Sequence, residues 1–193
     1  MRTTDNRYAG EQQKFDLAMR LIAHGARTHI IAGFTGFSQD RIRKLHATYF
    51  RQGGRPIVRR QRGKSPSNIA FFVRNAHVQS EASTLAGLFA VYGLMKISRG
   101  LQTRLRHLPD RLTFGERFCD AFEAYQSLFP DARIPFEQAW NLLHALTVKQ
   151  EILLADCGRC GGIYAQDALA LDHSLCPPCR RLGRATNALE GIQ

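Results

Sequence analysis

Apolar residues along the first fifty positions recur with a helical period. Phe15, Ala18, Met19 and Ile22 stand at i, i+3, i+4 and i+7, on one face, which predicts a helix from about Glu11 to His24. Gly25 breaks the pattern. A second, short helix fits about Ala26 to Phe34, with Ile30 and Ile31 turned inward, and Gly33 and Gly36 mark the turn that follows. Ser38 is an N-cap residue, since its side-chain oxygen can accept from a first-turn N–H. It predicts a third helix from Gln39 to about Phe50, with Ile42, Leu45 and Tyr49 as the apolar stripe. Arg41, Arg43, Lys44 and Thr48 fall largely off that stripe, and Gly53 and Gly54 end the helix.

The period then vanishes. Arg51 to Ser67 reads RQGGRPIVRRQRGKSPS, a basic loop or arm, with a plain linker as the alternative. Three longer helical patterns follow. About Ser80 to Ser98 carries Leu85, Leu88, Phe89, Tyr92 and Met95. Thr113-x-x-Glu116 has the form of a capping box, ahead of Phe118, Ala121, Phe122, Tyr125 and Phe129, and Pro130 stops that helix. Pro135 suits a first helical turn, and Ala139, Trp140, Leu143, Leu146 and Leu153 extend a helix to about Leu154. Cys119 falls at an apolar position of its helix and reads as a buried thiol. No repeat of 20–50 residues is visible.

Charge sharpens this picture. The net charge is +11, and it is uneven: residues 1–110 hold 19 Lys/Arg against 6 Asp/Glu, whereas residues 111–193 hold 8 against 10. Between Arg41 and Ser80 there are 10 Lys/Arg and no acid. So one-sided a field repels itself unless an anion neutralises it, which points to nucleic acid. An anionic membrane surface is the competitor, but the stretch lacks a clean amphipathic face. The longest strongly apolar run, Leu85 to Met95, is too short to span a bilayer, and the polar residues Met1 to Gly10 have no apolar signal-peptide core. The expectation is a cytoplasmic protein with no membrane partner.

Four of the five cysteines form two matched pairs, Cys157-Gly158-Arg159-Cys160 and Cys176-Pro177-Pro178-Cys179. Two residues between paired cysteines let a tight turn aim both sulfurs at one point. This spacing predicts one structural zinc ion per chain, with all four positions filled by sulfur and none left for a catalytic water. Two disulfides, a redox CxxC and an iron–sulfur cluster are the alternatives. A reducing compartment disfavours the disulfides. His173, three residues before Cys176, reads as a bystander.

The stretch Arg20 to Phe50 has helix-turn-helix character. In that motif the second helix enters the major groove N-terminus first, which brings Gln39, Arg41, Arg43 and Lys44 nearest the DNA. Arg can contact guanine, and Gln adenine, with two hydrogen bonds. Arg51, Arg55, Arg59, Arg60, Arg62 and Lys64 would contact phosphates, giving affinity and salt dependence without sequence information. Catalytic motifs are lacking: there is no phosphate loop, no HExxH, no nucleophile elbow and no evident carboxylate cluster. The chain reads as a non-enzyme. A zinc-ribbon nucleic-acid-processing enzyme or accessory factor is the second reading.

DLAMRLIAHGAR, RIRKLHATYF, AWNLLHALTVKQEILL leading into CGRCGG, and CPPC followed by basic residues together resemble the flagellar transcriptional activator subunit FlhC, over about Asp16 to Arg181. The resemblance implies a hetero-hexamer with an FlhD-like subunit, an all-helical middle, zinc on Cys157, Cys160, Cys176 and Cys179, and double-stranded DNA and RNA polymerase as further partners in activating flagellar class II operons. The segment GGRPIVRRQRGKSPSNIAFFVRN departs from the family pattern, being richer in arginine and without tryptophan. The expected architecture is mainly α. A basic helical region (1–110) holds the helix-turn-helix and the arm, and a helical hairpin (111–155) completes the core. A small C-terminal zinc module with four cysteine ligands (156–182) and a short tail (183–193) follow.

Overall fold

The computed structural model describes residues 3–52, 55–58, 61, 63, 68–171 and 174–182, with backbone alone at 3–6, 52, 55 and 56. The fold is mainly helical. Its contacts form two compact units, one of residues 1–65 and 107–120, the other of 66–106 and 121–193. This grouping differs from a division at 110 and 155, because the boundary falls inside a helix that contributes to both units.

In the first unit, α1 (Thr3–Ala23), α2 (Thr28–Thr35) and α3 (Gln39–Tyr49) pack on one another. α1 starts eight residues before Glu11. Its first turns carry no apolar stripe to betray them, but each added residue gains a hydrogen bond once a helix is nucleated. Leu17, Ala18, Leu21 and Ile22 form its buried seam. Gly25, at φ 72°, closes α1. Its N–H reaches Ile22 O at 2.9 Å and Ala26 N–H reaches Leu21 O at 3.0 Å, a Schellman ending that favours a residue without Cβ. Gly36, Phe37 and Ser38 join α2 to α3, and Ser38 caps α3 by accepting from Arg41 N–H at 3.2 Å.

The inward face of α3 departs from the expected stripe. Ile42 and His46 are buried, whereas Tyr49 is exposed and sets its ring edge-on to Phe15 at 5.8 Å. His46 can go inside because its Nε2 bonds the Val58 carbonyl at 2.9 Å. Beyond α3, β1 (Arg51–Gln52) pairs antiparallel with β2 (Arg55–Pro56), so the start of the basic arm is a short hairpin. Gly53 and Gly54 lie outside the described residues; the helix has already ended at Tyr49.

The second unit opens with α4 (Ala70–Val73) and α5 (Ala76–Val91). Asn75, not Ser80, starts α5, accepting from Val78 N–H at 3.0 Å. α5 also stops before Met95. Gly93 takes φ 71°, and Met95 enters β3 (Met95–Ile97), which pairs with β4 (Thr103–Leu105). The middle of the chain is therefore not all-helical. α6 (Arg111–Leu128) is capped by Asp110 rather than by a Thr113 box. The Asp110 carboxylate accepts from Thr113 N–H at 2.7 Å and from the Thr113 hydroxyl at 2.9 Å, and these bonds hold it below the usual carboxylate range. Cys119 is fully buried.

α7 (Phe136–Thr147) has Pro135 at its N-cap and ends well short of Leu154. Gln150 takes a left-handed φ of 54°, and Ile152–Asp156 forms β5, antiparallel to β6 (Ile163–Asp167). Ile152 and Leu154 point inward while Leu153 is partly exposed, an alternation of period 2 that overrides the helical reading.

A buried carboxylate ties this unit together. Glu81 on α5 is almost wholly enclosed. It accepts from Tyr125 Oη at 2.5 Å, from Arg133 N–H at 2.8 Å and from the Arg133 guanidinium at 2.7 Å. Burial pushes its pKa up, but the bonds from Tyr125 and Arg133 outweigh that and hold the carboxyl below its ordinary value. Burial and the neighbouring carboxylate both push the Tyr125 phenol up.

Candidate functional site

The hairpin of β5 and β6 positions the four paired cysteines. Cys157 follows β5 directly, and the chain reverses through residues 158–160 before β6 begins. Two bonds close the reversal: Gly161 N–H to Cys157 O at 2.8 Å and Cys157 N–H to Gly162 O at 3.0 Å. Gly161 sits at φ 69°, a conformation most side chains resist. The second pair comes in from the other side. Gly158 N–H donates to Ser174 O at 2.8 Å, and a Cβ at Gly158 would lie 3.3 Å from that same carbonyl. Residues 177–182 are helical, so Cys179 stands in the first turn after Cys176.

The four sulfurs lie within 4.8 Å of one another, and Cys160 Sγ is 3.7 Å from Cys176 Sγ. A tetrahedral thiolate centre with metal–sulfur bonds of about 2.3 Å has sulfur–sulfur edges of about 3.8 Å, so the spacing suits a single ion. Cys157, Cys176 and Cys179 are buried and Cys160 is exposed, with Tyr164, Ala155 and Leu175 packed alongside.

Backbone groups already favour a thiolate. Cys176 N–H points to Cys157 Sγ at 3.3 Å. This bond above all, helped by the N–H groups of Cys160 and Arg159 against the cost of burial, draws the Cys157 thiol down to about 6. Bonding to the Cys176 sulfur, then burial and the other sulfurs, push Cys179 up to about 12. Burial leads the rise at Cys176. Sulfurs this close resist ionising together until a cation sits among them. The four cysteines can hold a metal ion.

Four of the expected DNA contacts share one short helix. Gln39, Arg41, Arg43 and Lys44 lie on α3, and all four are exposed. Two are engaged within the molecule. Arg41 Nη1 is 3.1 Å from Glu11 Oε2 and its guanidinium stacks 3.7 Å above the Phe37 ring, while Arg43 Nη1 is 2.8 Å from Asp40 Oδ1. Both pairs are solvent-exposed and therefore weak. Bonds from Lys14 and then Arg41 hold the Glu11 carboxyl below its ordinary range. Arg51 is exposed at the start of β1; the backbone of Arg55 lies in β2. Arg59, Arg60, Arg62, Lys64 and His173 lie outside the described residues. Ser174, whose carbonyl anchors the first cysteine turn, and Glu81 escaped sequence reasoning. A lone serine or glutamate carries no spacing signal.

Among the described residues no helix is long and apolar enough to cross a membrane. Comparison with protein-family models finds no match, and comparison with curated proteins finds none either.

Proposed function

We propose that this chain is the DNA-binding subunit of a transcriptional activator, working in the cytoplasm in a hetero-oligomer with an FlhD-like partner to switch on flagellar operons through RNA polymerase. The observation that carries this reading is the face of α3. Gln39, Arg41, Arg43 and Lys44 all reach solvent on one short helix with a capped N-terminus, in a chain of net charge +11. The three-residue connection from α2 and the resemblance of the sequence to FlhC add to it.

In this reading α2 and α3 work as a helix-turn-helix. The N-terminal turns of α3 enter the major groove, where Gln39, Arg41 and Arg43 meet base edges and Lys44 a phosphate. Arg41 must leave Glu11 to do so, a small cost for an exposed pair. Arg51 and Arg55, with Arg59, Arg60, Arg62 and Lys64, neutralise the flanking phosphates. One zinc ion on Cys157, Cys160, Cys176 and Cys179 holds the C-terminal hairpin to the helix at 177–182. With four sulfur ligands it serves folding rather than chemistry. The reading is not enzymatic.

Co-expression with an FlhD-like protein, followed by footprinting on a flagellar promoter, tests the proposal. It expects a stable complex of both chains that protects a discrete site. A chain that purifies alone, ignores the partner and leaves promoter DNA unprotected contradicts it.

A further inference from the structure

Beside α7 lies a cavity of about 160 Å³. Phe72 and Ala145 give it an apolar wall, Trp140 adds an indole, and Gln138, His144, Lys149 and Glu151 add polar groups. The spacing explains the assembly: Gln138, Asn141 and Ala145 stand at i, i+3 and i+7 of α7, with Trp140 and His144 at i, i+4 beside them. Beyond the helix, Glu151 N–H bonds Ala145 O at 2.9 Å and draws Lys149 and Glu151 to the rim.

Gln138 is the unusual member. It is more than nine-tenths buried, yet among the described residues nothing donates to its Oε1. A buried amide oxygen without a donor is costly and rare in native structures. His144 adds a second acceptor. Its Nδ1 lies 3.0 Å from Trp140 O. A carbonyl can only accept, so Nδ1 carries a proton, and in the tautomer with that one ring proton Nε2 is left as an acceptor. The Glu151 carboxylate is a third acceptor, 3.7 Å from the Lys149 ammonium.

We infer that this cavity is a binding site for a small planar heterocycle carrying two or more N–H donors, the class of aminopyrimidines and aminobenzimidazoles. Its volume suits one or two fused rings, since an apolar cavity of about 150 Å³ takes up benzene. Trp140 supplies a face for the ring. The Gln138 oxygen takes one N–H, and the acceptors at His144 and Glu151 take others. The site is independent of α3 and of the cysteine centre.

Trp140 is the chain's single tryptophan, so its indole N–H gives one resonance that reports on the cavity alone. The experiment titrates the full, metal-loaded chain with 2-aminobenzimidazole and follows that resonance. Benzofuran tests a ring without N–H donors, and methylguanidine tests donors without a ring. The inference expects a saturable shift with 2-aminobenzimidazole and far weaker effects from the other two. Gln138→Leu should weaken the binding about tenfold, the worth of one hydrogen bond. It should also raise the melting temperature, because the unpaired oxygen is gone. No shift at millimolar 2-aminobenzimidazole overturns the inference. So does equal binding of benzofuran or methylguanidine, or unchanged binding in Gln138→Leu.

Discussion

Glu11 on α1 and Arg41 on α3 form an ion pair at 3.1 Å, with the guanidinium laid over the Phe37 ring. The pair fixes one basic side chain of α3 while leaving it in solvent. If α3 meets DNA, Glu11 competes with the DNA for Arg41. Glu11→Gln should therefore tighten DNA binding by up to about fivefold at low salt, with the gain fading as salt screens the pair. Binding isotherms at two ionic strengths check this. A loss of affinity in Glu11→Gln would mean that the pair positions Arg41 for DNA.

The cysteine centre predicts one metal ion per chain. Elemental analysis of reduced, folded protein should find zinc near one equivalent, and Cys157→Ser or Cys179→Ser should lose it. Such centres stabilise small peptides by roughly 10–16 kcal/mol, so the variants should expose the β5–β6 hairpin to proteolysis. Metal-free protein that keeps its hairpin protected contradicts a folding role.

Glu81→Ala removes the acceptor for Tyr125 Oη and Arg133 N–H inside the second unit. Because Arg133 is half exposed, its ion pair adds little, and most of the loss comes from the orphaned phenol and the void. A destabilisation of roughly 3 kcal/mol is expected by denaturant unfolding. The pH dependence has two arms. The Glu81 pKa is lowered on folding, so its stabilisation is present above the ordinary value of 4.5 and lost as pH falls through the folded value. The Tyr125 pKa is raised, so its share is complete below the ordinary value of 10.0 and is lost as pH climbs beyond it. Tyr125→Phe should abolish the alkaline arm and keep much of the acid one.

Gly115 on α6 has no room for a side chain. A Cβ there would stand 2.8 Å from Leu17 Cδ2 and 3.0 Å from Phe34 Cγ, and Phe34 is itself stacked on Phe114 at 5.9 Å. Gly115→Ala should destabilise by roughly 1–3 kcal/mol through overpacking, despite the better helix propensity of alanine. A thermal melt at or above the parent midpoint refutes this close packing.

The longer helices and the cysteine cluster were legible in the sequence for local reasons, whereas α4, the helical residues 177–182 and the burial of Leu17 and Leu21 in place of Phe15 and Met19 were not. Ser38 and the run from Phe15 to Ile22 act within a turn or two, and the paired cysteines carry their geometry in their spacing. The strands were not legible. Met95 and Leu153 continue a helical period by coincidence, and left-handed turns at Gly93 and Gln150 redirect the chain into hairpins. The Thr113 box failed because Asp110, three residues earlier, takes the cap. His46 replaces Tyr49 inside because it finds the Val58 carbonyl, twelve residues away. Glu81 and Gln138 owe their significance to partners and voids assembled across the fold, which no window of sequence contains.

On the proposed function, the exposed side of α3 reads double-stranded DNA. The most direct measurement is fluorescence anisotropy of a flagellar-promoter duplex with the partner-bound, metal-loaded chain. Parent protein and an Arg43→Ala, Lys44→Ala variant are compared on promoter and on scrambled DNA. The parent should prefer the promoter, with affinity falling steeply as salt rises. The variant should lose about tenfold or more on the promoter and much less on the scrambled duplex. Equal affinity of parent and variant for the promoter would contradict the proposed function.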